Sequence, residues 1–164
     1  MANIELETLF LAQEKLDQEI AINHQITYAN TRSKRSLSLL VEIGELANAT
    51  RCFKYWSNKS PESKERILDE YADGLHFFLS LGIDIKTNKK IYHFTKHANN
   101  LTDQILLVYA RINRFIKKAD DVSFQKAFQA FLNLLPLLGY RWKSASQAYY
   151  KKLDENHTRQ ANNY

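Results

Sequence analysis

The sequence is poor in the residues that make tight turns, with only four glycines and two prolines among 164 residues. A β-sandwich or small barrel needs frequent turns, and those turns rely on glycine and proline. The shortage therefore argues against an all-β protein. Long stretches in which apolar residues recur about every 3.6 positions instead predict an all-α protein.

Cysteine and long apolar runs are also scarce. The one cysteine, Cys52, excludes an internal disulfide and fits a reducing compartment, so we expect a cytoplasmic protein. No apolar run is long enough to span a membrane, and we expect no secretory leader. We therefore expect no membrane partner.

The positive charge is mild and dispersed. The formal net charge is +5, and the basic residues are spread along the chain. A nucleic-acid-binding protein would focus them on one face, so we expect no nucleic-acid partner. A mildly positive surface suits a polyanionic small substrate such as a nucleoside triphosphate. The length is that of one domain, and we expect a single domain over residues 1–164.

Two acidic pairs lie in the middle of the chain. Glu42 and Glu45 are three residues apart, and so are Glu70 and Asp73. Positions i and i+3 lie on the same face of an α-helix, so each pair directs two carboxylates the same way. A short turn joins the two predicted helices, which should therefore pack antiparallel. We expect the four carboxylates to face one another.

A cluster of this kind repels itself unless a cation joins it. Mg²⁺ prefers oxygen ligands and keeps positions open for water and phosphate. A solvated acidic face is the plain alternative, but each pair here is embedded in apolar residues. Asp73 and His76 are three residues apart, which raises a di-iron site as an alternative. Di-iron sites use repeated Glu-x-x-His motifs, whereas this chain has a single Asp-x-x-His. We therefore favour Mg²⁺ and interpret His76 as structural.

The apolar pattern predicts a bundle of about five to six helices with a four-helix catalytic core. The first predicted helix is capped by Asn3 and reaches about Ala21, and a polar connector follows over 22–34. The second runs from Ser33 or Ser36 to about Trp56, and the third starts at Ser60–Pro61 and is stopped by Gly82. A basic linker over 84–99 precedes further helices from Leu101, near Phe124 and after Trp142.

Several polar and aromatic residues lie on the same helix faces as the apolar stripe of the first helix or the acidic pairs. Gln13 falls within the apolar stripe of the first helix, as a core amide or as a reader of a nucleobase edge, and Asp17 lies near the same face. Phe77 is four residues after Asp73. Trp56 is fourteen residues after Glu42, which predicts a similar face if the helix continues that far.

Basic residues flank the predicted carboxylate cluster. Lys54 could contact phosphate as a point cation. In the polar tail, Lys152, Asn156 and Arg159 recur at roughly helical spacing. The tail is either frayed or a basic segment that folds over a triphosphate.

The central motif resembles that of the all-α NTP pyrophosphatase superfamily, and within it the dimeric all-α dUTPases. The resemblance is carried by two central segments, EIGELANATRCFKYWSNK and DEYADGLHFFLSLG. The terminal segments LFLAQEKLD and QAYYKKLDENHTRQANNY are similar as well. The resemblance covers most of the chain and is weakest between residues 83 and 115.

This resemblance implies a homodimeric dUTP diphosphatase that hydrolyses dUTP, and also dUDP, to dUMP. Pyrophosphate would be released from dUTP, which would sanitise the nucleotide pool and supply the precursor of dTMP. The implied site residues are Mg²⁺ ligands at Glu42, Glu45, Glu70 and Asp73, base- and sugar-contacting residues at Gln13, Asp17, Trp56 and Phe77, and phosphate-binding residues at Lys54, Lys152, Asn156 and Arg159.

The chemistry would rest on in-line attack by water. We favour Glu42 as the general base, with Glu45 as the alternative. Selectivity against ribose should come from close packing at Phe77. Two rival interpretations stay open at this point: a related pyrophosphatase acting on another nucleotide such as dCTP, and a non-catalytic helical interaction module.

Overall fold

The computed structural model describes residues 2–164, and its architecture is an all-α bundle with one two-stranded sheet. The all-α prediction is confirmed. One helix more than expected arises because the short α6 separates from α5. The elements are β1 Ile4–Glu5, α1 Glu7–His24, α2 Tyr28–Thr50, α3 Lys64–Asp84, β2 Ile91–Tyr92, α4 Leu101–Lys118, α5 Asp121–Leu132, α6 Leu134–Leu138 and α7 Trp142–Ala161.

The chain begins with a strand rather than with the helix cap predicted at Asn3. Ile4 pairs with Tyr92 in an antiparallel ladder, and both side chains are buried. The pairing partner comes from the segment that the sequence placed in a basic linker. Because Ile4 gains both ladder hydrogen bonds and burial, α1 starts only at Glu7.

Helix α2 begins at Tyr28, five residues before the earlier of its two predicted starts. Thr27 caps it: its side chain accepts from the backbone N–H of Asn30, and the Asn30 side chain accepts from the backbone N–H of Thr27. This capping box satisfies donors that a helix end leaves unpaired. The polar connector predicted over 22–34 is therefore wrong, since most of that range is helical.

Helix α2 also ends earlier than predicted, at Thr50 rather than near Trp56. Arg51 adopts a left-handed backbone conformation with φ of 58°. Its guanidinium donates to the Ser57 hydroxyl and the Lys59 carbonyl, which holds the following segment in an irregular path. Residues beyond Thr50 consequently leave the helical register.

Helix α3 lies at the centre and packs against α1, α2, α5 and α7. Its cap is Ser63, whose hydroxyl accepts from the backbone N–H of Arg66, so the predicted start at Ser60–Pro61 is wrong. Gly82 does not stop the helix, which continues to Asp84. A Cβ at Gly82 would lie 2.7 Å from a ring carbon of Phe124, so the glycine permits close packing of α3 on α5.

The antiparallel packing of α2 and α3 is fixed at one end by a buried carboxylate. Asp84, at the end of α3, accepts from Arg32 at 2.6 Å and from Arg35 at 2.7 Å, both on α2. Burial alone would raise the pKa of Asp84, but the two guanidinium groups hold it below its usual value. These ion pairs hold α2 and α3 antiparallel, which is the arrangement that the two acidic pairs need in order to approach one another.

The aromatic residues of α5 face inward. Phe124, Phe128 and Phe131 are fully buried, and Phe78 of α3 stacks on Phe128 with ring centroids 5.1 Å apart. These rings form the core on the side of α3 away from the cavity described below. Within residues 2–164, no helix is both long and apolar enough to cross a membrane.

Candidate active site

A cavity of about 710 Å³ lies between α1, α2, α3 and α7. Volumes of about 300–1,000 Å³ are typical of sites for small molecules. One end of the cavity is lined by carboxylates from α2 and α3. The other end is lined by polar and aromatic side chains from α1, α2 and α3. The two ends differ in chemistry as the two ends of a nucleotide do.

Three of the four predicted carboxylates converge. Glu42, Glu45 and Glu70 can each place an oxygen within 4.8 Å of the others. The i, i+3 spacing on α2 brings the first two together, and the antiparallel α3 supplies the third. Glu70 is buried, and Oε2 of Glu42 is buried without a hydrogen-bond partner.

The carboxylate cluster is short of positive charge. Burial, with repulsion from Asp73, Glu45 and Glu70, raises the pKa of Glu42 to about 7. Burial also raises the pKa of Glu70 to about 7, although the Arg66 guanidinium opposes the shift. Arg66 contacts Glu70 at 2.5 Å. One guanidinium therefore does not offset the mutual repulsion of the group.

Asp73 neighbours the three glutamates but is not one of the converging group, and α7 supplies it with a cation. The ammonium of Lys152 lies 3.3 Å from Asp73 and 2.8 Å from Asp69. Burial raises the pKa of Asp73, and Lys152 opposes that rise. Burial would lower the pKa of Lys152, but the two aspartates outweigh it and raise the value. Lys152, predicted as a phosphate contact, is here bound to carboxylates.

The opposite end of the cavity contains a buried hydrogen-bond network. The Gln13 amide nitrogen donates to Asp17 at 2.9 Å, and the Tyr28 hydroxyl donates to the other oxygen of Asp17 at 2.9 Å. Burial raises the pKa of Asp17, while its hydrogen bonds with Gln13 and Tyr28 oppose the rise. Sequence reasoning placed Gln13 and Asp17 on one face, and the structure joins them directly.

His76 belongs to this network and not to the carboxylate group. Its Nδ1 lies 2.6 Å from the Oε1 atom of Gln13, and its ring stacks on Tyr149 with centroids 4.4 Å apart. Burial lowers the pKa of His76 to about 3, so the ring is neutral. The histidine that a di-iron site would need is thus engaged elsewhere.

Two predicted contacts lie away from the cavity, contrary to the expectation that α2 would carry them. Trp56 is 64% exposed and lies in the irregular segment after α2, where its ring packs edge-on to Phe53 and Tyr55. Lys54 lies over the Phe53 ring at 5.8 Å. Neither is among the residues that line the cavity. The predicted face was wrong because the helix ends at Thr50.

Of the remaining predicted residues, Phe77, Asn156 and Arg159 do line the cavity. Sequence reasoning missed a row on α2 that also lines it: Tyr28, Thr31, Lys34, Arg35 and Ser38. The signal that could have found them was the Thr27–Asn30 capping box, which would have moved the start of α2 to residue 28.

Comparison with known proteins gives one line of identification. A family model described as dUTPase matches residues 5–164. A search of curated proteins found no match. The family match spans the four helices that line the cavity, the acidic cluster and the buried amide network.

Proposed function

The chain belongs to the dUTPase family and hydrolyses dUTP; from that activity, we propose that the cavity between α1, α2, α3 and α7 is where dUTP is cleaved to dUMP and pyrophosphate, and dUDP to dUMP. The observation that carries this proposal is the group formed by Glu42, Glu45 and Glu70 at one end of a cavity of nucleotide size. The triphosphate would lie against that group, and the base would lie at the Gln13 end.

The carboxylate group fits Mg²⁺. All its donors are hard oxygens, Glu42 has a buried oxygen without a partner, and two members have pKa values raised to about 7. We propose Glu42, Glu45, Glu70 and Asp73 as ligands. Bound Mg²⁺ would offset the phosphate charge and acidify a water molecule.

Glu42 is our proposed general base, with Glu45 as the alternative. A pKa near 7 suits a group that must accept a proton from water at neutral pH. Its unpartnered oxygen faces no competing donor among residues 2–164. In the in-line displacement, this carboxylate would orient the water and take its proton.

Helix α7 supplies the residues proposed to hold the phosphates. Asn156 and Arg159 line the cavity one and two turns beyond Lys152. Arg159 can bind phosphate through paired N–H donors. Lys152 is already close to Asp69 and Asp73, so it would reach the phosphates by exchanging these carboxylates for phosphate oxygens.

The other end of the cavity would hold the base and the sugar. Gln13, with Asp17 beside it, would contact the uracil edge. Phe77 lines the same cavity, four residues after Asp73 on α3. Its ring would pack on the deoxyribose, where a 2′-hydroxyl would lose space.

We also propose that the protein is a cytoplasmic homodimer. Leu37, Val41 and Leu106 are 63%, 49% and 63% exposed and lie on α2 and α4, two helices in contact. Apolar side chains of this size on neighbouring helices suit a surface that a second copy covers. Light scattering of the wild type should give twice the chain mass, and Val41→Asp should shift it toward the monomer. A monomeric wild type would reject this part of the proposal.

A nucleotide panel with and without Mg²⁺ tests the proposed site. dUTP should be turned over with pyrophosphate release only when Mg²⁺ is present, and Asp73→Ala should lose turnover while remaining helical by circular dichroism. Glu14→Gln, at an exposed position on α1, is the matched control and should keep full activity. Full activity of Asp73→Ala would reject the metal assignment, and a preference for dCTP would favour the rival pyrophosphatase.

A further inference from the structure

Three helices meet at one side chain behind the cavity. The Oε1 atom of Gln13, on α1, lies 2.6 Å from Nδ1 of His76 on α3 and accepts from the Tyr149 hydroxyl on α7 at 3.1 Å. The Tyr149 hydroxyl also lies 3.2 Å from the Leu9 carbonyl. Gln13 and His76 line the cavity, whereas Tyr149 is fully buried behind them.

These neighbours fix which way the amide of Gln13 points. Asp17 accepts from Tyr28 on one oxygen and from Gln13 on the other, so the amide NH₂ group faces Asp17. The amide oxygen must then face His76 and Tyr149, and the neutral His76 donates from Nδ1. Rotating the amide by half a turn would set its oxygen against the accepting oxygen of Asp17 and its NH₂ group against the donors of His76 and Tyr149.

The hydrogen-bonding capacity left for a ligand follows from this orientation. The Gln13 oxygen faces Nδ1 of His76 and the Tyr149 hydroxyl, whose one hydrogen is shared between Gln13 and the Leu9 carbonyl. One amide N–H is occupied by Asp17. The second N–H makes no hydrogen bond within residues 2–164 of the structure, so Gln13 can offer a ligand only a donor.

We propose that Tyr149 and His76 are positioning residues that hold Gln13 as a hydrogen-bond donor to O4 of uracil and thereby select uracil over cytosine. Uracil has a carbonyl oxygen at C4, which accepts. Cytosine has an amino group there, which would set donor against donor in a buried site. This inference rests on the proposed function, in which the base occupies the Gln13 end of the cavity.

Removal of the Tyr149 hydroxyl is the first test. In Tyr149→Phe the amide oxygen loses one of its two partners, and the amide can rotate to accept from the cytosine amine. The ratio of kcat/KM for dUTP to that for dCTP should fall by about tenfold or more. The change should come from a higher KM for dUTP and a lower KM for dCTP, with kcat for dUTP nearly unchanged.

Tyr150→Phe is the matched control, since within residues 2–164 the neighbouring hydroxyl hydrogen-bonds only to Thr8, at 3.3 Å, and Tyr150 does not line the cavity. Its nucleotide ratio should equal that of the wild type. A folded Tyr149→Phe protein with an unchanged ratio would overturn the inference.

A pair of substitutions at His76 gives an independent test. In His76→Asn the side-chain amide can still donate to Gln13, whereas His76→Leu removes the donor and keeps apolar volume. Asparagine should preserve most of the preference for dUTP, and leucine should lower it. Equal ratios in both variants would contradict a positioning role.

Binding of nucleosides without metal separates this inference from the proposed function. Calorimetry of deoxyuridine and deoxycytidine should show a preference for deoxyuridine that Tyr149→Phe reduces. A wild type that hydrolyses no dUTP would reject the proposed function. A deoxyuridine preference that Tyr149→Phe leaves intact would reject only the inference drawn here.

Discussion

Replacing Glu42 by glutamine should stabilise the metal-free protein while abolishing its activity. Burial and three neighbouring carboxylates raise the pKa of Glu42 from 4.5 to about 7. The folded state therefore holds a proton that the unfolded state has lost. Ionised Glu42 therefore lowers the free energy of unfolding. This loss is absent below pH 4.5, grows as the pH rises, and is complete above pH 7.

The size of the effect follows from the same pKa change. A shift from 4.5 to about 7 corresponds to about 3 kcal/mol in the free energy of unfolding. The Glu42 side chain is partly solvated, so solvent screening reduces the expected gain to about 1–2 kcal/mol. Glutamine keeps the shape of the side chain and removes its charge.

Denaturant unfolding in a chelator, below pH 4.5 and above pH 7, measures the difference in free energy of unfolding between Glu42→Gln and the wild type. Glu42→Gln should match the wild type in acid and exceed it above neutrality. Millimolar Mg²⁺ should stabilise the wild type more than the variant, which narrows the gap. Glu14→Gln should show no such pattern. If Glu42→Gln were no more stable than the wild type above pH 7 without metal, the account of the carboxylate cluster would be wrong.

Three further predictions follow from the packing, the buried imidazole and the sugar contact. Gly82→Ala should lower the free energy of unfolding by about 1–3 kcal/mol, measured by urea denaturation, because a Cβ there would lie 2.7 Å from Phe124; an unchanged midpoint would refute the close packing. The folded-state pKa of His76 is lowered to about 3, so the unfolded state binds the proton first and stability should fall as the pH drops from 6.5 toward 3, by at most about 1.4 kcal/mol per pH unit. His76→Asn should flatten that dependence in the same unfolding assay, and an identical slope in both proteins would contradict the burial argument. Phe77→Ala should raise the kcat/KM for UTP relative to dUTP by about tenfold; equal discrimination in wild type and variant would mean that the sugar is read elsewhere.

The features that the sequence predicted correctly are those set by local spacing. The approach of Glu42, Glu45 and Glu70 needed only the helical repeat and the antiparallel packing of two neighbouring helices, whereas Asp73 is not part of that group. Gln13 stood out because a polar residue interrupted an apolar stripe. These properties depend on the residues themselves and on a few neighbours along the chain.

The errors arose where helix ends depend on caps or distant contacts. The start of α2 depends on the Thr27–Asn30 capping box, which lies outside the apolar pattern. Its end depends on the left-handed Arg51, and extending the repeat past that residue misplaced Trp56. The network of Gln13, His76 and Tyr149 joins positions 63 and 136 residues apart from Gln13. No periodicity reveals such a junction.

Lys152 gives the acidic end of the cavity a positive charge from within the chain. Its ammonium group sits between Asp69 and Asp73, so an arriving divalent ion competes with an internal counter-charge. If a metal ion binds there as proposed, its uptake and the release of Lys152 from these carboxylates are thermodynamically linked, and each must favour the other by the same factor. Free Mg²⁺ alone would bind weakly, whereas Mg²⁺ arriving with a polyphosphate would offer Lys152 a new anionic partner and bind more tightly.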